Sequence, residues 1–286
     1  MINYKKKQER RKIDIMTESR NRGLVPKNEV EHAYYSGMII QRVRNFVKND
    51  SVNELINWGY GPSGRTIDPK TVKIGGDRGT NGIFTAFQPE NIKLYRSLLP
   101  KQLALPEKPI VSLVTVDYNT GNSITRYNEG MVMIKGMCPD GEETWFVLSM
   151  PVETWLMMEM GVDWGFPKRL FDIRVTKEKT IVLDKGVKHL ALEITPTSSL
   201  KEDDVIIPKG DAWGINNMAV IHPVRNDILL IFSYGPISVQ ERIKGLVKVS
   251  IDRKQPWSEL IPEELTIPGV SQRYVSVGDS LIKKVY

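Results

Sequence analysis

The sequence predicts an α+β fold, mainly antiparallel β, in which a closed or sandwiched β core is flanked by a few helices and preceded by an N-terminal helical extension. Three observations predict it. Short runs rich in Val, Ile, Leu and aromatics recur at close spacing from Ile83 to the C-terminus. Tight-turn residues such as Pro139-Asp140-Gly141 separate some of these runs. Few helical periods intervene, so the alternating βαβ pattern of a parallel sheet is missing.

The elements follow in order. Glu29 to Val47 places Val30, Ala33, Tyr34, Met38, Ile39, Val43 and Phe46 at three- and four-residue spacings, with Arg42, Arg44 and Lys48 near the end, where cations suit a helix dipole. A short second helix through Leu55-Trp58 is broken by Gly59, Gly61, Pro62 and Gly64. Residues 1–70 are therefore read as a basic tail and helical extension, and 71–286 as the main domain. Gly75-Gly76-Asp77-Arg78-Gly79-Thr80-Asn81-Gly82 lacks the register and terminal Lys-Ser/Thr of a phosphate loop and leads into a strand, Ile83-Phe87. Pro89-Glu90 opens a helix to Leu99, stopped by Pro100. Strands are expected at Ile110–Tyr118, Glu129–Met137 and Glu143–Met150, followed by a helix from Pro151 to Met160 with Val152, Leu156 and Met160 on one stripe. A second set of strands is expected at Leu170–Thr176, Thr180–Leu183, His189–Thr195, Met218–His222, Ile228–Tyr234 and Leu246–Ile251. A short helix at Pro256–Leu260 precedes a last extended segment, Tyr274–Lys284.

Composition excludes several classes of function. Lys5, Lys6, Lys7, Arg10, Arg11 and Lys12 against Glu9 carry five of the six net positive charges of the 286 residues. The rest of the chain is close to neutral, unlike a body that binds nucleic acid through a basic face. No apolar run is long enough to span a bilayer and no secretory leader is expected, which points to a cytoplasmic protein with no membrane partner. Cys138 is the single cysteine and fits a reducing compartment. His32, His189 and His222 lack metal-ligand spacing, so no metal site is expected and the three are left unassigned.

The chemistry centres on Gly161-Val162-Asp163-Trp164-Gly165-Phe166-Pro167-Lys168-Arg169-Leu170. Lys168 follows an aromatic–proline pair and precedes a second cation, and it is read as a covalent catalyst enclosed by the β core. Attack on a ketone requires the neutral amine, which a free lysine offers in only about one molecule in two thousand at pH 7. Apolar burial and a nearby like charge both raise that fraction. Trp164, Phe166 and Pro167 supply apolar surroundings. Arg169 supplies a charge, but in an extended segment it points to the face opposite Lys168.

These residues resemble the active-site segment of the acetoacetate decarboxylase family, in which the lysine follows Tyr/Phe-Pro and precedes another basic residue. Tyr127-Asn128-Glu129 matches the family's Tyr-x-Glu signature ahead of the lysine, and Met150 matches a pocket-lining methionine. The resemblance covers about residues 75 to 286. It implies Lys168, Glu129 and Arg78 as catalytic residues, with Arg169, Phe166, Met150 and Tyr127 around the substrate. Two departures stand out: Arg169 replaces the family's second lysine, and a second carboxylate, on the strand before Tyr-x-Glu, has no match, Asp117 being near but out of register. The implied chemistry is a Schiff-base lyase, most simply the decarboxylation of a β-keto acid through an iminium and enamine on Lys168, with no cofactor. One alternative is an aldolase-dehydratase acting on pyruvate-like keto acids through the same lysine. Another is a non-catalytic small-molecule binder on the same fold. A homo-oligomer is expected, and the first seventy residues, which the resemblance does not cover, are read as serving packing or oligomer contacts.

Overall fold

The computed structural model describes residues 78–118, 127–154, 157–158, 161–162, 165–206, 217–222, 226–233, 237–276 and 281–286. The expected N-terminal helices lie outside the described residues, as do Trp164, Leu156 and Met160. Thirteen strands form one sheet: β1 (Arg78–Phe87), β2 (Val111–Asp117), β3 (Asn128–Met137), β4 (Glu143–Val152), β5 (Lys168–Leu170), β6 (Asp172–Val175), β7 (Lys179–Asp184), β8 (Val187–Pro196), β9 (Met218–Ile221), β10 (Leu229–Ser233), β11 (Ile237–Ile251), β12 (Leu265–Ser276) and β13 (Leu281–Val285). Their spatial order is β13-β10-β9-β4-β3-β2-β1-β12-β11-β8-β7-β6, with β5 attached to β4. Every pairing is antiparallel except β4 with β5 and β4 with β9. The helix α1 (Ile92–Leu98) is capped by the Asn91 side chain, which accepts from Leu94 N–H at 2.9 Å. No helix among the described residues is long and apolar enough to cross a membrane.

The sheet is not a closed barrel, because its ladder has two ends, at β13 and β6. It instead folds over, which realises the sandwiched form of the expectation. One core cluster joins Ile83, Leu113, Val132 and Ile134 of β1–β3 to Ile173, Val182, Leu190 and Val247 of β6, β7, β8 and β11. A Cβ placed on Gly130 of β3 would meet Val182 at 3.5 Å and Leu190 at 3.8 Å, although those strands lie far from β3 in the ladder. Alternation along each strand sends the intervening residues to the other face. There Phe84, Val114, Val116, Met131, Met133, Met150, Phe232, Val270 and Tyr274 form a second cluster. Each such side chain, when fully buried, contributes roughly 1.5–3 kcal/mol.

Two junctions hold the folded-over end in place. Strand β5 pairs with β4, Phe171 donates its N–H to Val152 O at 2.9 Å, and β6 then pairs with β7. The chain itself thus bridges the two parts of the ladder at one residue. Beside it, Asn128 Nδ2 donates to Ile173 O at 3.3 Å, and Asn128 N–H donates to Glu153 at 3.2 Å.

The structure corrects several sequence expectations. Strand β4 runs through Pro151 and Val152, where a helix start was expected; helical turn geometry begins only with the Met158 N–H to Thr154 O bond at 3.0 Å. Pro151 is tolerated where β4 exchanges β9 for β5 as its neighbour, since a strand end has less need of every N–H. The expected strand Leu170–Thr176 is two strands separated by Phe171. Strand β11 begins at Ile237 rather than Leu246, and β12 begins at Leu265. Arg78 is the first residue of β1, opposite Ser276, rather than a residue just ahead of the strand. The final helix is a single 3-10 turn, Ser258–Leu260.

Behind the bridging residue lies His189, buried between the rings of Phe171 (4.6 Å) and Trp257 (5.7 Å), with Nε2 3.4 Å from Ser149 Oγ. Its Nδ1 is buried without a hydrogen-bond partner. Burial holds the imidazole pKa below its usual value; Asp252 and Asp184 oppose the shift and Arg169 adds to it. Above the unfolded pKa of about 6.5 both states are neutral and this site costs nothing. As pH falls through that value towards the depressed folded pKa, the unfolded state gains the proton first and stability is lost. His189→Gln should therefore flatten the fall in Tm between about pH 7 and pH 5. An unchanged acid limb would show that other groups set it.

Candidate active site

The turn before β5 explains why an aromatic–proline pair precedes the lysine. Lys168 N–H donates to Phe166 O at 2.7 Å, closing a three-residue turn around Pro167. An inverse γ-turn needs a central φ near −75°, close to the value the proline ring imposes. Phe166 anchors the turn in the second core cluster, 5.1 Å from the Phe232 ring, and its N–H donates to Gly161 O at 2.9 Å. Gly165 has φ +88°, and a Cβ there would collide with the Ile221 carbonyl oxygen, so backbone angle and space both require glycine.

Lys168 lies in register with Met150 on the neighbouring strand, and both are buried. Its Nζ meets Glu129 Oε2 at 2.7 Å, with the two side chains only 6% and 2% exposed. The Tyr127 ring centroid is 5.7 Å from the same Nζ, and Tyr127 also hydrogen-bonds through its side chain to the Glu129 carboxylate. Tyr118 stacks on Tyr127 at 4.6 Å. Tyr127 and Glu129 share a face because they are two residues apart at the start of β3. Asn128 between them turns to the other face and makes the tether to Ile173. The two ends and the middle of Tyr-x-Glu thus make separate contacts, with Lys168 on one face and with the folded-over end of the sheet on the other.

Burial pushes the Glu129 carboxyl above its usual pKa; the Lys168 charge and the Lys168 and Tyr127 hydrogen bonds work against it. Removing either member of a buried pair typically costs about 3–5 kcal/mol, because the survivor is left unpaired. The same proton can reside on either partner across 2.7 Å, so a carboxyl with a raised pKa is suited to take a proton from an amine or return it.

Among the other residues singled out in the sequence, Phe166 and Met150 stand on the lysine's face, whereas Arg169 is exposed and turned away. Arg169 approaches the His189 side of the sheet, as alternation along an extended segment requires. The Arg78 backbone opens β1, and its side chain lies outside the described residues. Val116, an apolar residue, is the β2 neighbour of Glu129, and Asp117 pairs with Asn128 one step on. Among the described residues no three His, Cys, Asp or Glu side chains converge as a metal would need.

In the sequence Gly161 simply follows the helix expected from Pro151 to Met160, whereas in the structure Gly161 and Val162 are themselves helical. Gly161 packs against the stem of Lys168: an added Cβ would lie 2.5 Å from Lys168 Cε, 2.7 Å from Cγ, and closer still to Cδ. No sequence signal reveals this, because the contact depends on how the segment after β4 folds back over β5. Gly161→Ala should displace the lysine stem and lower kcat/KM by at least about tenfold, a barrier change of only about 1.4 kcal/mol, while the far-UV spectrum is retained. Wild-type kinetics in this variant would show that the stem can move aside freely.

Residues 77–201 match the family model described as acetoacetate decarboxylase (ADC). No curated protein matches the chain in sequence. Among solved structures, an acetoacetate decarboxylase superposes with TM-score 0.57 at 12% identity, covering 82% of this chain and 99% of its own. The acetoacetate decarboxylase from Legionella pneumophila gives 0.52 at 16%, covering 79% and 94%. The enduracididine biosynthesis enzyme MppR, solved in complex with pyruvate, gives 0.55 at 12%, covering 76% and 92%. These likenesses establish a shared fold, and the matched segment carries Lys168, Glu129 and Tyr127. Over that segment the chain is similar to the acetoacetate decarboxylase (ADC) family, and its fold is one it shares with the acetoacetate decarboxylases and MppR.

Proposed function

We propose that this protein is a Schiff-base-forming lyase acting on a small keto acid, most simply a decarboxylase of an acetoacetate-like β-keto acid. The observation that carries the reading is the buried 2.7 Å contact between Lys168 Nζ and Glu129. A lysine that only bound a ligand's charge would gain nothing from a carboxylate already neutralising it. A lysine that must lose a proton before attack has its acceptor in place.

The steps follow from the residues. Glu129 takes the proton from the Lys168 ammonium, and the neutral amine adds to the ketone carbon. The oxygen leaves as water after receiving two protons, and a protonated iminium remains. The carbon–carboxylate bond then breaks, its electron pair flowing into the iminium, so carbon dioxide leaves and a neutral enamine forms. Protonation at carbon and hydrolysis release the ketone and restore the amine. Glu129 is placed to serve both proton transfers, Met150 and Phe166 line the lysine's apolar surroundings, and Arg78 is assigned to the substrate carboxylate or to Glu129. The likeness to MppR, one of whose structures holds the condensation product of pyruvate and imidazole 4-carboxaldehyde, favours a second reading. In it the same iminium is used for aldol condensation and dehydration of a pyruvate-like acid.

The test is borohydride trapping with acetoacetate and with pyruvate, read by mass. Both enzyme readings give a reduced adduct on Lys168, and a non-catalytic binder gives none. Carbon dioxide release or a condensation product with an added aldehyde then separates the two reactions. Lys168→Ala should abolish adduct and turnover; retained activity would end this reading. Without the cation, Glu129 in that variant keeps a folded pKa above its unfolded value of about 4.3. Its stability should be full below that value and fall as pH rises through the folded pKa. Glu129→Gln should lower the rate by a factor on the order of 10² to 10⁴ and still permit trapping. Loss of the adduct together with turnover would move Glu129 from proton transfer to amine activation alone.

A further inference from the structure

We infer that the stacked pair Tyr118–Tyr127 supports the cationic nitrogen formed at Lys168, Tyr127 through the face of its ring and Tyr118 by fixing that ring. The inference rests on the Schiff-base reading and extends it to a residue, Tyr118, that neither motif contains. Nζ of Lys168, the atom that becomes the iminium nitrogen, lies 5.7 Å from the Tyr127 ring centroid. That is within the range at which an aromatic face attracts a cation, and the attraction is larger where both groups are buried.

Three contacts keep the ring from swinging away. The Tyr127 side chain is bonded to Glu129. Its carbonyl accepts from Tyr118 N–H at 2.9 Å. The Tyr118 ring lies on it at 4.6 Å with an interplanar angle of 22°. Val152, Met157 and Met158 complete an apolar surround for the pair, so the ring's field is not weakened by bulk water.

The charge on the nitrogen changes along the reaction, which gives the ring a selective effect. The Lys168 ammonium and the ketone give, through the neutral amine, the iminium cation and water, so the nitrogen carries its charge both before and after the adduct forms. When carbon dioxide leaves, the electron pair of the broken bond neutralises the nitrogen as enamine. An aromatic face therefore stabilises the iminium more than the enamine. It holds ammonium and iminium alike, leaves the fraction of enzyme held as adduct little changed, and slows the loss of carbon dioxide from that adduct.

The experiment replaces Tyr127 by Phe, 3,5-difluorophenylalanine and pentafluorophenylalanine, near-isosteric rings whose faces become progressively less negative. All three lack the hydroxyl, so the lost bond to Glu129 is common to the series. The measurement is the acetoacetate or pyruvate concentration at which half of Lys168 is trapped by borohydride, with the single-turnover rate from preformed adduct taken alongside. The single-turnover rate from the adduct should rise from Phe to pentafluorophenylalanine by up to about 30-fold, the span of buried cation–aromatic contacts, while the half-trapping concentration stays nearly level. Tyr118→Leu should give part of the same rise, and Tyr118→Phe little of it. Equal rates from the adduct across the fluorinated series, with wild type forming adduct, would overturn the inference alone. No adduct in wild type with either acid would overturn the Schiff-base reading beneath it as well.

Discussion

A lysine ammonium and a glutamate carboxylate 2.7 Å apart and away from water impose the strictest demand in this fold. Neither group could be buried alone without a penalty of several kcal/mol, so each depends on the other's position. That position is set by strand register: Glu129 stands opposite Val152, and Lys168 opposite Met150, on adjoining strands. A slip of one residue in β5 would send the amine to the face that Arg169 occupies and leave Glu129 buried without its cation. The three-residue turn at Pro167, the glycines at 161 and 165 and the Phe166 anchor act together against that slip.

The tether between β3 and β6 follows from the same demand. The folded-over end of the sheet meets β3 at Asn128, next to the glutamate in sequence and opposite to it in direction. Fixing Asn128 also fixes the alternation on which Tyr127 and Glu129 depend. Packing in the first core cluster and chemistry on the second face are thus joined through one residue of the Tyr-x-Glu segment.

Much of this was legible in the sequence because it rests on local rules. Period-two patterning revealed most strands, and the two short motifs brought Lys168, Glu129 and Tyr127 forward. Simple alternation set Arg169 apart from Lys168. What escaped reading depends on contacts made at a distance. Pro151 and Val152 look like a helix start until β5 is known to pair beside them. The first half of β11, with Gln240, Glu241, Arg242 and Lys244, reads as a solvated segment. Yet Arg242 is nearly buried, its charge met by Glu202 at 2.9 Å and its Nη1 bonded to Gln272 at 3.0 Å. Gly161 shows no sign of its role, since a missing side chain is informative only once the neighbour occupying the space is known.

The second core cluster draws on two distant parts of the chain. The reacting groups come from the stretch between Tyr118 and Lys168, whereas Phe232, Val270 and Tyr274, on the same side of the sheet, come from β10 and β12. Reactivity and the shape of the surrounding wall are therefore encoded separately. Substitutions in β10 and β12 can repack that wall while the strands that carry Lys168 and Glu129 keep their own pairing.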